Sequence, residues 1–195
     1  MTERGSAGPA AAGPPSSSSL PGDDLVANPN MVFNRTRVIS ASAAEIWPWL
    51  VQLGKQRAGW YMTSRAERVV PASRRAARVI DPRWQELRVG LRIPDYGGRH
   101  AFLEVAILEP GRALVYRSAR GGATFSWALI LDALSPTSTR VHLRFRGRVR
   151  SGGWRRRLIG AIGGEFDRVT SELMLSGLAE RVRAHSGLGT DSARA

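Results

Sequence analysis

Few of the acidic, histidine and tyrosine residues of this 195-residue chain are credible for acid/base chemistry, and most of those fall in two places. The first is Glu104, which interrupts the otherwise apolar run Ala101-Phe-Leu-Glu-Val-Ala-Ile-Leu108. Turned inward on a strand, its carboxylate would be desolvated, its pKa would rise, and it would serve as a base. Turned outward, it pairs with an arginine of a neighbouring strand, and this is the expected orientation. The second place is the polar cluster Asp95-Tyr96-Gly-Gly-Arg99-His100. His100 within reach of Asp95 and Tyr96 would make an acid/base pair, and Tyr61 is the remaining candidate acid; the bland alternative is an exposed polar loop. Other chemistries lack their motifs. His100, His142 and His185 have no metal-ligand spacing, so no metal or other cofactor is expected. Ser126 lacks the glycines of a nucleophile elbow, and Gly160-Ala-Ile-Gly163-Gly164 is not followed by Lys-Ser/Thr as a phosphate loop requires.

Strands and one long helix must position these groups. Across Thr137–Arg150, Val141, Leu143, Phe145 and Val149 take one parity, while Arg140, His142, Arg144, Arg146, Arg148 and Arg150 take the other. Such a strand has an apolar inner face and a cationic outer one. Beyond it, Phe166, Val169, Leu173, Met174, Gly177, Leu178 and Val182 recur at spacings of three and four, predicting an amphipathic helix over about Gly164–Ala184. Upstream, Met31–Ile39 reads as a strand. Ser42-Ala-Ala-Glu45 is a capping box opening a helix that runs to Leu53, with a kink or break expected at Pro48. A second helical piece is expected over Thr63–Val70, then strands at Leu91–Ile93, Ala101–Leu108, Ala113–Arg117 and Ala123–Asp132. The fold class is α+β: a curved antiparallel sheet closed by the last helix.

Two stretches, Arg37-Val-Ile-Ser-Ala-Ser-Ala-Ala-Glu-Ile-Trp47-Pro-Trp-Leu-Val-Gln-Leu-Gly54 and Arg57-Ala-Gly-Trp-Tyr61, resemble the first strand, first helix and glycine-tryptophan-tyrosine turn of many bacterial START-like (SRPBCC) proteins, polyketide cyclase/dehydrase types among them. That resemblance implies a helix-grip fold over residues 31–184 and a mainly apolar cavity between sheet and last helix. It implies no particular reaction or ligand. The expected lining is Trp60, Tyr61, Tyr96, Trp127, Phe145 and Met174, with Phe102 and Phe166 beside them, since pockets are lined mainly by apolar and aromatic side chains.

Composition bounds the rest. The hydrophobic fraction of 43% suits one core, and zero cysteines exclude a disulfide framework and fit a cytoplasmic location. No apolar stretch approaches the roughly 20 residues of a membrane span. Residues 1–30 read as a disordered Ala/Gly/Pro/Ser-rich leader, with residues 1–24 free of fold contacts, and 185–195 as a disordered tail. The formal charge is +13, and Arg144–Arg157 holds seven arginines and no acid. That face would suit an anionic surface or an acidic partner. No sequence-specific nucleic-acid reading is expected, because no recognition motif accompanies the charge. Three functions therefore stand open: a carrier of a small hydrophobic or aromatic molecule, a cofactor-independent cyclase or dehydratase on the same cavity, and an interaction module using the arginine face.

Overall fold

The computed structural model describes residues 19–96, 100–120, 122–150 and 169–187. Six strands form one antiparallel sheet in the order β1-β6-β5-β4-β3-β2: β1 Met31–Ile39, β2 Arg92–Pro94, β3 Phe102–Glu109, β4 Ala113–Arg120, β5 Ala123–Ser135 and β6 Ser138–Val149. Between β1 and β2 lie α1 (Ala43–Gln52) and the single turn α2 (Ser64–Glu67). The last described helix, α3, occupies residues 169–187. The expected start of α3, near Gly164, lies outside the described residues. Its end lies three residues beyond Ala184, so residues 185–187, expected in a disordered tail, are helical. His185 sets its ring edge-on to Trp49 at 6.0 Å.

The sheet has two faces because side chains alternate. On the inner face, Leu114, Leu129, Val141 and Leu143 meet Met174, Leu175 and Leu178 of α3 and Ile46, Trp49 and Leu50 of α1 in one buried core. Ser42 caps α1 with the expected reciprocal box: Glu45 N–H donates to Ser42 Oγ (3.3 Å) and Ser42 N–H to Glu45 Oε2 (2.8 Å). No break occurs at Pro48. The helix runs through it, because the loss of one amide bond is outweighed by burial of Ile46, Trp49 and Leu50. In β3 the pairing shifts between Val105 and Ile107. The extra residue reverses the alternation, leaving Val105 on the inner face and Ile107 on the outer.

α3 is docked by Arg181, whose side chain is fully buried. Its Nε donates to Ala77 O (2.7 Å), Nη1 to Met62 O (2.8 Å) and Gly177 O (3.1 Å), and Nη2 to Glu67 Oε1 (2.6 Å) and Ala76 O (3.4 Å). All five guanidinium hydrogens find acceptors. Gly177 lets the helix backbone approach that of Met62, since a Cβ there would come within 2.5 Å of the Met62 carbonyl carbon.

The outer face carries a second apolar cluster, Ala113, Val115, Ala128 and Ile130, covered by Leu20 and Leu25. Residues 20–30 therefore do not behave as the free leader the composition suggested. They form a strap across the sheet, with Val26 buried. Asp23 ion-pairs with Arg144 (2.6 Å) and Arg146 (3.2 Å), and Arg146 and Arg148 donate to the carbonyls of Val26 (3.4 Å) and Ala27 (3.1 Å). Three arginines of the cationic face are thus engaged by the chain itself. The composition gave no hint because Leu20, Leu25 and Val26 follow neither a helical nor a strand period. Residues 1–18 and Arg155–Arg157 lie outside the described residues.

Arg181→Ala, which leaves Glu67 buried with one partner fewer, should cost about 3–5 kcal/mol in urea unfolding. Gly177→Ala should cost about 1–3 kcal/mol by overpacking against Met62. Burial opposes the charge on Asp23, but its hydrogen bonds from Arg144 and from the Leu20 amide outweigh this and hold its carboxyl below the ordinary value of 3.8. A carboxyl whose folded pKa is depressed stabilises the fold above its unfolded pKa and loses that contribution as pH falls through the folded one. Asp23→Asn should therefore be less stable than wild type at pH 7, and the two should converge near pH 2, as read by unfolding at each pH.

Candidate functional site

Cross-strand pairing sets Phe33, Phe145, Trp127, Tyr116 and Val105 in one row across five strands of the inner face. Directly opposite residues on one face are the closest neighbours a sheet offers. The Tyr116 and Trp127 rings accordingly stack at 5.7 Å and 21°. Trp60 completes the wall from outside the sheet, stacking on Trp127 at 5.5 Å and 25°. It is delivered by a tight loop in which Gly54 and Gly59 exchange backbone hydrogen bonds, 3.2 and 2.9 Å long. Gly59 adopts φ +85°, a conformation that favours glycine. Tyr96 closes the outer side, edge-on to Trp60 at 6.5 Å, with Lys55 Nζ 5.9 Å from its ring centroid.

These rings, with Leu53, Ile93 and Leu103, enclose a cavity of about 30 Å³. That is room for water, far below the roughly 300–1,000 Å³ of a drug-sized site. The ligand-sized cavity expected from the sequence is therefore not open among the described residues; the stacked rings occupy it. Two residues lining the remnant carry buried polar atoms without partners, Trp60 Nε1 and Tyr116 Oη. Beside Tyr116, Arg57 is held by Nη2 bonds to Val51 O (3.1 Å) and Trp84 O (2.6 Å), and its Nε is likewise buried and unpartnered. Burial lowers the Arg57 pKa, and burial pushes the Tyr116 hydroxyl well above the usual tyrosine value. Tyr116 therefore stays protonated at neutral pH.

Of the residues expected around the cavity, Trp60, Tyr96 and Trp127 are brought together. Tyr61 lies in the core instead, its hydroxyl donating to Trp49 O (2.9 Å) and accepting from Gln52 Nε2 (3.0 Å). Met174 is buried where α3 meets the sheet. Phe145 takes the wall's row but stacks with Phe33 (6.0 Å) and Phe125 (5.8 Å), away from the cavity. Phe102 faces the opposite side, because it shares parity with Glu104, and Arg92 sits 4.4 Å from its ring centroid. Phe166 lies outside the described residues. Sequence reasoning missed Tyr116 and Arg57. The pairing of β4 with β5 would have exposed Tyr116, which lies opposite Trp127; Arg57 gave no signal.

The acid/base candidates do not converge. Glu104 is on the outer face, accepting from Arg117 (2.5 and 3.0 Å) and Arg92 (3.3 Å), and the Arg117 hydrogen bonds hold its pKa below the ordinary value. His100 is exposed. Asp95 reaches the cavity's rim, with Oδ1 accepting from the Tyr96 amide (2.7 Å) and its carbonyl from Lys55 Nζ (3.0 Å). Among the described residues no group of three or more His, Cys, Asp or Glu could hold a metal, and no helix is long and apolar enough to cross a membrane. A larger, open concavity of about 260 Å³ lies on the outer face beside Leu25, floored by Phe102, Glu104 and Arg117. The inner site is an aromatic pocket with room for water, and among the described residues lining it Asp95 is the one carboxylate.

No protein-family model matches the chain, and no curated protein matches it. Solved structures similar to it include hypothetical protein jhp0584 from Helicobacter pylori, with TM-score 0.54 at 13% identity over 87% of this chain and 98% of that one. Protein MLL2253 from Mesorhizobium loti gives 0.46 at 20% identity, over 78% and 97% of the two chains. A START superfamily protein from Mycobacterium smegmatis gives 0.44 at 13%, again over 78% and 97%. At these identities the likeness is one of fold. The six-stranded antiparallel sheet closed by a C-terminal helix is an α+β helix-grip arrangement.

Proposed function

We propose that the protein binds one flat aromatic or hydrophobic molecule against the wall of Trp60, Trp127 and Tyr116, as a carrier, sensor or sequestering domain. The observation that carries this reading is the wall itself: three near-parallel rings, from a loop and two strands, around a remnant cavity with unpartnered polar atoms. A ligand enters by displacing Tyr96, whose residue is 57% exposed and which touches the wall only edge-on. An aromatic pair of that kind contributes about 0.5–1.5 kcal/mol, small against the roughly −8 kcal/mol of micromolar binding. We place this binding in the cytoplasm, in keeping with a chain free of cysteine.

The cyclase or dehydratase alternative has less support, because Glu104 is ion-paired on the far face and His100 is exposed. The interaction reading is weakened too, since Arg144, Arg146 and Arg148 already serve the strap.

A neutral fluorophore such as N-phenyl-1-naphthylamine should bind saturably at micromolar concentration and accept energy from tryptophan. Trp127→Ala should weaken it by about tenfold or more, the equivalent of roughly 1.4 kcal/mol. Tyr96→Ala, a change at an exposed position, should tighten it by opening the cavity. Absence of saturable binding in both wild type and Tyr96→Ala would remove the reading.

A further inference from the structure

We infer that the ligand is a flat aromatic acid, its oxygen taking hydrogen bonds from the donors around Tyr116; this rests on the binding reading above and deepens it. The inference comes from the polar atoms at and beside the cavity. Asp95 on its rim already accepts, at its carbonyl from Lys55 and at Oδ1 from the Tyr96 amide. Two donors on the lining, Trp60 Nε1 and Tyr116 Oη, and one beside it, Arg57 Nε, are buried without a partner. The indole and guanidinium nitrogens can only donate, and a protonated phenol satisfies its hydrogen only on an acceptor.

A buried donor left without an acceptor is costly, so a ligand oxygen recovers something that the free protein forgoes. Tyr116 itself is 1% exposed, so water outside the fold does not reach its hydroxyl. The sign of the local charge selects further among oxygens. Arg57 lies close enough to act electrostatically on Tyr116, and Lys55 stands at the rim over Tyr96. Asp95 is the one carboxylate among the described lining residues, and it is engaged by the Tyr96 amide. A carboxylate therefore suits the site better than a neutral carbonyl, and an amine suits it worst. The cavity of about 30 Å³ is of the size of one such polar group, and the aromatic body extends from it along the Trp60–Trp127 stack where Tyr96 now lies.

The test is a matched pair of probes, 2-naphthoate and 2-ethylnaphthalene, titrated by tryptophan fluorescence at one fixed salt concentration. The expected result is that 2-naphthoate binds about tenfold more tightly or better, the effect of one hydrogen bond to a charged group. Tyr116→Phe keeps the ring and should lower the ratio of the two affinities severalfold. Equal affinities in wild type, or an unchanged ratio in Tyr116→Phe, would overturn the inference while leaving the binding reading intact. Failure of both probes to bind would overturn both.

Discussion

The fold turns on one buried charge. Arg181 sits inside the protein with no exposed side-chain surface, and an unpaired guanidinium there would be prohibitive. It is tolerated because five acceptors from three segments converge on it: Glu67 of α2, the carbonyls of Met62, Ala76 and Ala77, and Gly177 of its own helix. The Tyr61 ring lies beneath it at 4.6 Å. Hydrogen bonds impose distance and direction in a way apolar contact does not. Apolar burial brings α3 to the sheet, and Arg181 fixes how far along it the helix sits. Glu67 is shared with Arg78, which also holds Glu180, so the clamp extends to the protein surface.

The position of the candidate site depends on that clamp. Met62, whose carbonyl Arg181 holds and whose backbone Gly177 abuts, is two residues from Trp60. On the other side of Trp60, the Gly54–Gly59 bridge fixes the chain. Trp60 is therefore anchored on both flanks and its ring has to lie over Trp127. Tyr96 is held less firmly: its residue is exposed, and its ring meets Trp60 edge-on with Lys55 beside it. Rigid wall and loose cover come from adjoining segments of one fold, which suits a site that must open without losing its shape.

The two sheet faces have divided the chain's charge between them. The inner face is mainly apolar; on it Arg37 reaches Ser176 of α3 (3.0 Å) and Thr139 donates to Ala41 O (2.8 Å). The outer face takes the arginines of β6 and spends several of them on residues 20–30. Arg144 also donates to Asn34 of β1 (2.8 Å), so one guanidinium ties the strap to the edge strand. Partly buried pairs of this kind are worth more than surface ones, because less water and salt screen them. The high net charge of the sequence thus overstates what is free to meet a partner.

The sequence by itself determined the elements. Alternation in β6, the capping box of α1 and the three-four spacing of α3 are signals carried by neighbours along the chain, and burying one face suffices to produce each. It also put Trp60, Tyr96 and Trp127 among eight candidate lining residues, without separating them from Tyr61, Phe102, Phe145, Phe166 and Met174. What it left open was every relation between elements. Phe102 and Tyr61 are aromatic residues in apolar settings, as Trp127 is, yet one faces Arg92 on the far side and the other is pinned in the core. Tyr116 joins the wall only because β4 pairs with β5 in that register, and Arg181 is an ordinary surface residue until α2 closes over it. Leu20 and Leu25 belong to no period at all and become ordered on a patch built from β4 and β5. Local patterns set which face of an element is apolar; cross-strand register and helix docking bring together residues far apart in the chain, and those contacts are decided only when the surfaces meet.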